Sequence, residues 1–190
     1  MAGKKDTTTL SVTATYPVNW TLTVTNAQSA VVRTYTGIGS TISQVWDGKD
    51  ANGQVVPDGL YTYQFQGTDA TSGATITSAT GQVTVDNTLP TALITSPTQN
   101  QTILTDDPLP FVGTADDANF SSYTFAYGVG SNPTSFTTLT TSSSRVQNGT
   151  LYTLASQQLA NGTYTFRLTV TDKADTATVL DRLVIFDYLT

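Results

Sequence analysis

Asp58-Gly59-Leu60-Tyr61-Thr62-Tyr63-Gln64-Phe65, closing at Thr68-Asp69, returns as Asn161-Gly162-Thr163-Tyr164-Thr165-Phe166-Arg167-Leu168, closing at Thr171-Asp172. The offset is 103 for the turn glycine, both aromatics, the apolar residue after them and the Thr-Asp pair. Within each copy, aromatic or aliphatic side chains alternate with polar ones, the period of a strand with one buried face. A repeat of about a hundred residues built from short strands has the length of one immunoglobulin-like sandwich. The chain therefore reads as all-β, two Ig-like or fibronectin-III-like β-sandwiches in tandem.

Working outward, the same alternation runs through Trp20, Leu22 and Val24, through Val83 and Val85, and through Tyr123, Phe125 and Tyr127. Threonine fills many of the positions between, where its β-branch suits a pleated surface. Turn signals separate the runs: Gly37-Ile38-Gly39, Asp47-Gly48, Asn52-Gly53, Asp58-Gly59 and Ser72-Gly73, then Asn132-Pro133, Asn148-Gly149 and Asn161-Gly162. Residues 1–7 read as a tag or disordered start, 8–86 as the first sandwich, 87–90 as a short linker and 91–190 as the second. The linker, within Asp86-Asn87-Thr88-Leu89-Pro90, is short enough to limit swing between the two. The predicted core residues are Trp20, Trp46, Tyr61, Tyr63, Phe65, Phe125, Tyr164, Phe166 and Leu168.

Composition narrows the chemistry. Only 12% of the 190 residues are charged, against about 25% in an average globular chain. There is no His, no Cys and no Glu, and all fourteen acids are Asp. The usual general base, thiol nucleophile and transition-metal ligands are thus missing, so the chain reads as not an enzyme. A net charge of −6 argues against nucleic acid, which selects clustered Lys and Arg. No apolar run reaches the roughly eighteen residues of a membrane-spanning helix. Low charge with abundant Thr, Ser, Asn and Gly points to an extracellular or bacterial cell-surface setting.

Two resemblances add to this reading. Val32-Arg33-Thr34-Tyr35 and the run Trp46-Asp47-Gly48-Lys49-Asp50-Ala51-Asn52-Gly53-Gln54-Val55-Val56-Pro57-Asp58-Gly59-Leu60-Tyr61-Thr62-Tyr63 resemble the Ig-like domain of the flagellar hook-capping protein family. That likeness covers roughly Leu10 to Val85 and implies a fold and an extracellular habit, not a flagellar role. The second half is similar to the bacterial Ig-like repeats of large secreted and surface proteins. Its matching residues include Ile94-Thr95-Ser96-Pro97, Phe111-Val112-Gly113-Thr114-Ala115-Asp116-Asp117 and Leu159-Ala160-Asn161-Gly162-Thr163-Tyr164. Such repeats act as spacers between catalytic or adhesive modules.

The candidate sites are loop carboxylates. Asp47, Asp50, Asn52 and Asp58 stand close together among glycines, the ingredients of a Ca²⁺ loop, although the spacing is not that of an EF-hand. Asp106 and Asp107 with Asp116 and Asp117 form a second set that a cation could join. Against both stands the plainer reading, that Asp and Asn serve turns by bonding their own backbone. No other cofactor is implied.

The expected role is a non-catalytic structural spacer within a larger protein, its partners being that protein's neighbouring domains. A carbohydrate- or surface-protein-binding module is the alternative, as is an accessory domain of a secreted enzyme. Exposed rings at Tyr35, Tyr127 or Tyr152 would favour binding.

Overall fold

The computed structural model describes residues 6–76, 78–156 and 158–188. Most of the expected tag lies outside the described residues, and the first strand begins at Thr8. The chain is all-β. It divides into two compact units between Thr88 and Leu89, each with its own core.

The first unit has four strands: β1 (Thr8–Thr25), β2 (Val31–Trp46), β3 (Gly59–Asp69) and β4 (Ala79–Val85), in the order β2-β1-β3-β4. They form one sheet rather than two, and it makes its second layer by folding over. Leu10 and Leu22 both lie on β1, twelve positions apart, which would separate them by about 40 Å along a straight strand. Yet they share a core with Ile42, Trp46, Val56, Tyr61 and Phe65. The corner is a register break, where four residues of β1, Ala14 to Pro17, oppose the single Ser40 of β2. Pro17 sits where the ladder is already interrupted, so its missing N–H costs nothing there. Gly39, at φ 149°, takes the matching backbone conformation on β2. Gly37-Ile38-Gly39 is therefore not a turn as the sequence suggested but the inside of a long, bent strand.

The second unit is a sandwich of two separate sheets. Strands β5 (Thr91–Ser96), β7 (Leu109–Asp116) and β10 (Val146–Leu154) form one, in the order β10-β7-β5. The other is β6-β12-β11-β8-β9, from β6 (Gln101–Ile103), β8 (Phe120–Val129), β9 (Thr137–Ser142), β11 (Gly162–Asp172) and β12 (Ala177–Phe186). All pairs are antiparallel except β6 with β12. Between the sheets an aromatic cluster centres on Phe166, 0% exposed, with Phe111 at 4.3 Å, Phe125 at 5.9 Å and Phe186 at 6.2 Å between ring centroids. Asn148-Gly149 proves to be a bulge inside β10, with Asn148 at φ 47° and a register shift between Val146 and Gly149, not a hairpin turn.

The repeat that organises the sequence also explains its closing Thr-Asp. Asp69 Oδ1 accepts the Thr71 and Ser72 amides, shaping the turn that leads β3 toward β4. Asp172 Oδ1 accepts the Thr176 amide in the turn from β11 to β12. The two aspartates close equivalent hairpins. The repeated tyrosines differ. Tyr61 donates its hydroxyl to Pro57 O at 2.8 Å, the hydrogen bond of a tyrosine corner, whereas Tyr164 is held edge-on by Tyr127 and Phe186. Of the predicted core, Trp46, Tyr61, Phe65, Phe125, Tyr164, Phe166 and Leu168 are buried, while Trp20 and Tyr63 are half-buried beside the core.

Replacing Phe166 with Ala leaves a cavity where four rings meet and should cost about 3–5 kcal/mol in urea denaturation. Tyr61→Phe removes only the hydroxyl and should cost about 1 kcal/mol by the same measurement.

Candidate functional site

The run from Trp46 to Asp58 is the densest polar region of the first unit, and its bonds turn inward on the loop itself. Trp46, 1% exposed, closes edge-on against Tyr61 at 5.4 Å and donates its indole N–H to Lys49 O at 2.9 Å. Gly48 and Gly53, at φ 68° and 78°, supply the left-handed residues the loop needs. Asp50 Oδ1 accepts the amides of Asn52 (2.8 Å) and Gln54 (2.9 Å), and its carbonyl accepts Arg33 Nη1 at 2.7 Å. Asp47 pairs with Lys49 at 3.5 Å.

Asp58 faces elsewhere, toward the segment after β4. Its Oδ1 accepts both the backbone amide and the side-chain Nδ2 of Asn87 at 2.7 Å, and its Oδ2 accepts the Thr88 hydroxyl. Partial burial opposes its charge, but the Thr88 and Asn87 hydrogen bonds outweigh this and hold its carboxyl below the usual range. Each carboxylate of this group thus has a structural task.

In the second unit, Asp106 and Asp107 precede β7 while Asp116 and Asp117 end it. The length of β7 separates the pairs by roughly 25 Å, so the four cannot surround one ion. Asp116 accepts Gln147 Nε2 and lies 3.7 Å from Arg145, tying β7 to the start of β10. Asp117, buried, accepts the Asn119 amide at 2.6 Å. Among the described residues no three His, Cys, Asp or Glu side chains gather into a group that could hold a metal ion. Tyr35, Tyr127 and Tyr152 are all half-buried and packed against the cores.

The concavity that sequence reading missed lies at the fold of the first unit. A cavity of about 450 Å³ opens between the two layers, lined by Tyr16, Val18, Trp20, Ile42, Phe65 and Ile76 among others. On the inner face, Trp20 is flanked by Gly37 on β2 and Gly67 on β3, and Val18 by Gly39. A β-carbon at 37 would strike the Trp20 indole, and one at 67 would strike Ile76, so both glycines are set by what lies on them. The signal was present in the sequence, since glycines interrupt otherwise alternating strands where something approaches closely.

Comparison with known proteins agrees with the first unit's loop. Residues 2–71 match the FlgD Ig-like domain family. The chain is also 40% identical over 82 residues to C5a peptidase of Streptococcus pyogenes serotype M3, and over 80 residues to the serotype M1 protein. These alignments cover 40% and 38% of this chain but only 7% and 6% of the peptidases, so the chain spans less than a tenth of the curated relatives it matches. Among solved structures, the fibronectin(III)-like modules of Clostridium thermocellum CbhA give a TM-score of 0.49 at 18% identity, covering 98% of this chain and 87% of theirs. A tetra-tandem repeat from the extending region of a large adhesion protein gives 0.40 at 18% identity, over 98% of this chain and 48% of that one.

The Asp58 bonds carry a pH signature. A carboxyl whose folded pKa lies below its unfolded value of 3.8 contributes fully above that value. The contribution disappears as pH falls through the depressed folded pKa. Asp58→Ala should therefore lower the urea midpoint at pH 6, and by less as the pH is taken down below 3.8.

Proposed function

We propose that the chain is a non-catalytic structural spacer of a larger bacterial extracellular or cell-surface protein, with that protein's neighbouring domains as its partners. The observation that carries this reading is how the polar groups are used. In the Trp46–Asp58 loop the carboxylates that sequence offers as ligands accept backbone amides or pair with their own neighbours. The alignments support it, because the relatives hold the similar stretch within a small fraction of their length. Two separate hydrophobic cores, one per unit, suit a module that must resist unfolding rather than move.

A glycan-binding role on Tyr35, Tyr127 or Tyr152 draws no support from rings that pack against the cores. Under the spacer reading Asp47, Asp50, Asn52, Asp58, Asp106, Asp107, Asp116 and Asp117 are turn, strand-end and loop groups. Melting curves in excess EDTA and in millimolar Ca²⁺ should then coincide, whereas a higher melting temperature in Ca²⁺ would turn them into ion sites. Stretching single molecules from end to end tests the mechanical role directly. Two separate unfolding events should appear, each releasing roughly 230–300 Å of chain. One event releasing the whole length, or none with measurable resistance, would defeat it.

A further inference from the structure

The cavity at the fold of the first unit is not needed by a spacer, and its lining has a definite chemistry. Three aromatic side chains line it: Phe65 from within, half-buried Trp20 over Gly37, and Tyr16, 67% exposed, at the register break. Val18, Ile42 and Ile76 are among the aliphatic residues of the apolar part. Among the lining residues one is charged, Asp69, which sits directly across from Val18 on the inner face. Among the described residues no Lys or Arg lines the cavity. The Ser72 amide and hydroxyl, followed by the Thr71 amide, hold the Asp69 carboxyl below the usual range, so it stays ionised at neutral pH.

Aromatic faces attract cations through the ring quadrupole, most strongly when an indole is present and water is partly excluded. A nearby carboxylate adds attraction for a positive group and repels a negative one. The volume of about 450 Å³ is within the usual range for small-molecule sites. We propose that this cavity binds an organic cation, a quaternary or alkylated ammonium group carried on a short apolar chain. The chain lies against Trp20, Phe65 and Ile76, and the ammonium sits at the mouth between Tyr16 and Asp69. This goes beyond the spacer reading and does not depend on it.

Trp20 supplies the readout, because the other tryptophan, Trp46, is sealed in the core. The experiment titrates the full chain with hexyltrimethylammonium and, separately, with hexanoate, following tryptophan fluorescence and heat. The ammonium should give a saturable change and bind at least tenfold more tightly than the carboxylate. Tyr16→Ala removes an exposed ring and should weaken the ammonium roughly fivefold. Asp69→Asn keeps the turn, since Asn accepts the same amides, and should bring the two affinities within a few-fold of each other. Equal binding of both probes to the unaltered chain would overturn the proposal, leaving an unselective apolar cleft. So would the lack of any saturable signal, or full ammonium binding by both variants.

Discussion

A strand that alternates threonine with large apolar side chains can bury only one of its faces, and every other feature of the chain follows from that constraint. The buried face needs a second layer, or its rings stand in water. The second unit meets the need with a separate three-stranded sheet, closed around Phe111, Phe125, Phe166 and Phe186. With only four strands, the first unit bends its sheet instead and lays the ribbon of Thr8–Thr13 and Thr41–Trp46 over the remainder. The bend places Trp46 against Tyr61, and so brings together the two ends of the long loop motif.

What was legible in the sequence was whatever depends on local pattern. The alternation at Tyr61, Tyr63 and Phe65, and at Tyr164, Phe166 and Leu168, marks β3 and β11, and the inward residues follow from it. Asp50 and the Gly48 and Gly53 turns were also legible, because an Asx-turn is made within a few residues. The bend was not. Gly37-Ile38-Gly39 reads the same whether it closes a hairpin or lets a strand turn a corner, and only the partner strand decides. Asn148-Gly149 failed for the same reason, since a bulge and a turn ask for the same left-handed residue. That the two pairs of the second acidic set lie at opposite ends of β7 was not legible either, because it depends on the strand between them.

Local pattern also explains why the Trp46–Asp58 motif can match a family without naming a ligand. Its residues specify one another. The indole N–H fixes Lys49 O, the Asp50 carboxylate fixes Asn52 and Gln54, Pro57 O receives Tyr61, and Asp58 holds Asn87 and Thr88. A run whose Trp46, Asp50 and Asp58 polar groups all bond within the unit is a signature of a fold, and it carries over between proteins of different activity.

The cavity beside Trp20 is the consequence of using one sheet for two layers. A two-stranded ribbon covers less of the four-stranded part than a full sheet would, and the uncovered rows hold Gly37, Gly39 and Gly67 in place of side chains. A void lined by carbon lowers stability. Two of its lining side chains are seated on glycines, Trp20 on Gly37 and Ile76 on Gly67, and Gly39 has a backbone conformation that side chains resist. The opening is thus built into the same corner that lets the unit close its core. Tyr16, in the register break, and Asp69, at the end of β3 opposite Val18, both line it.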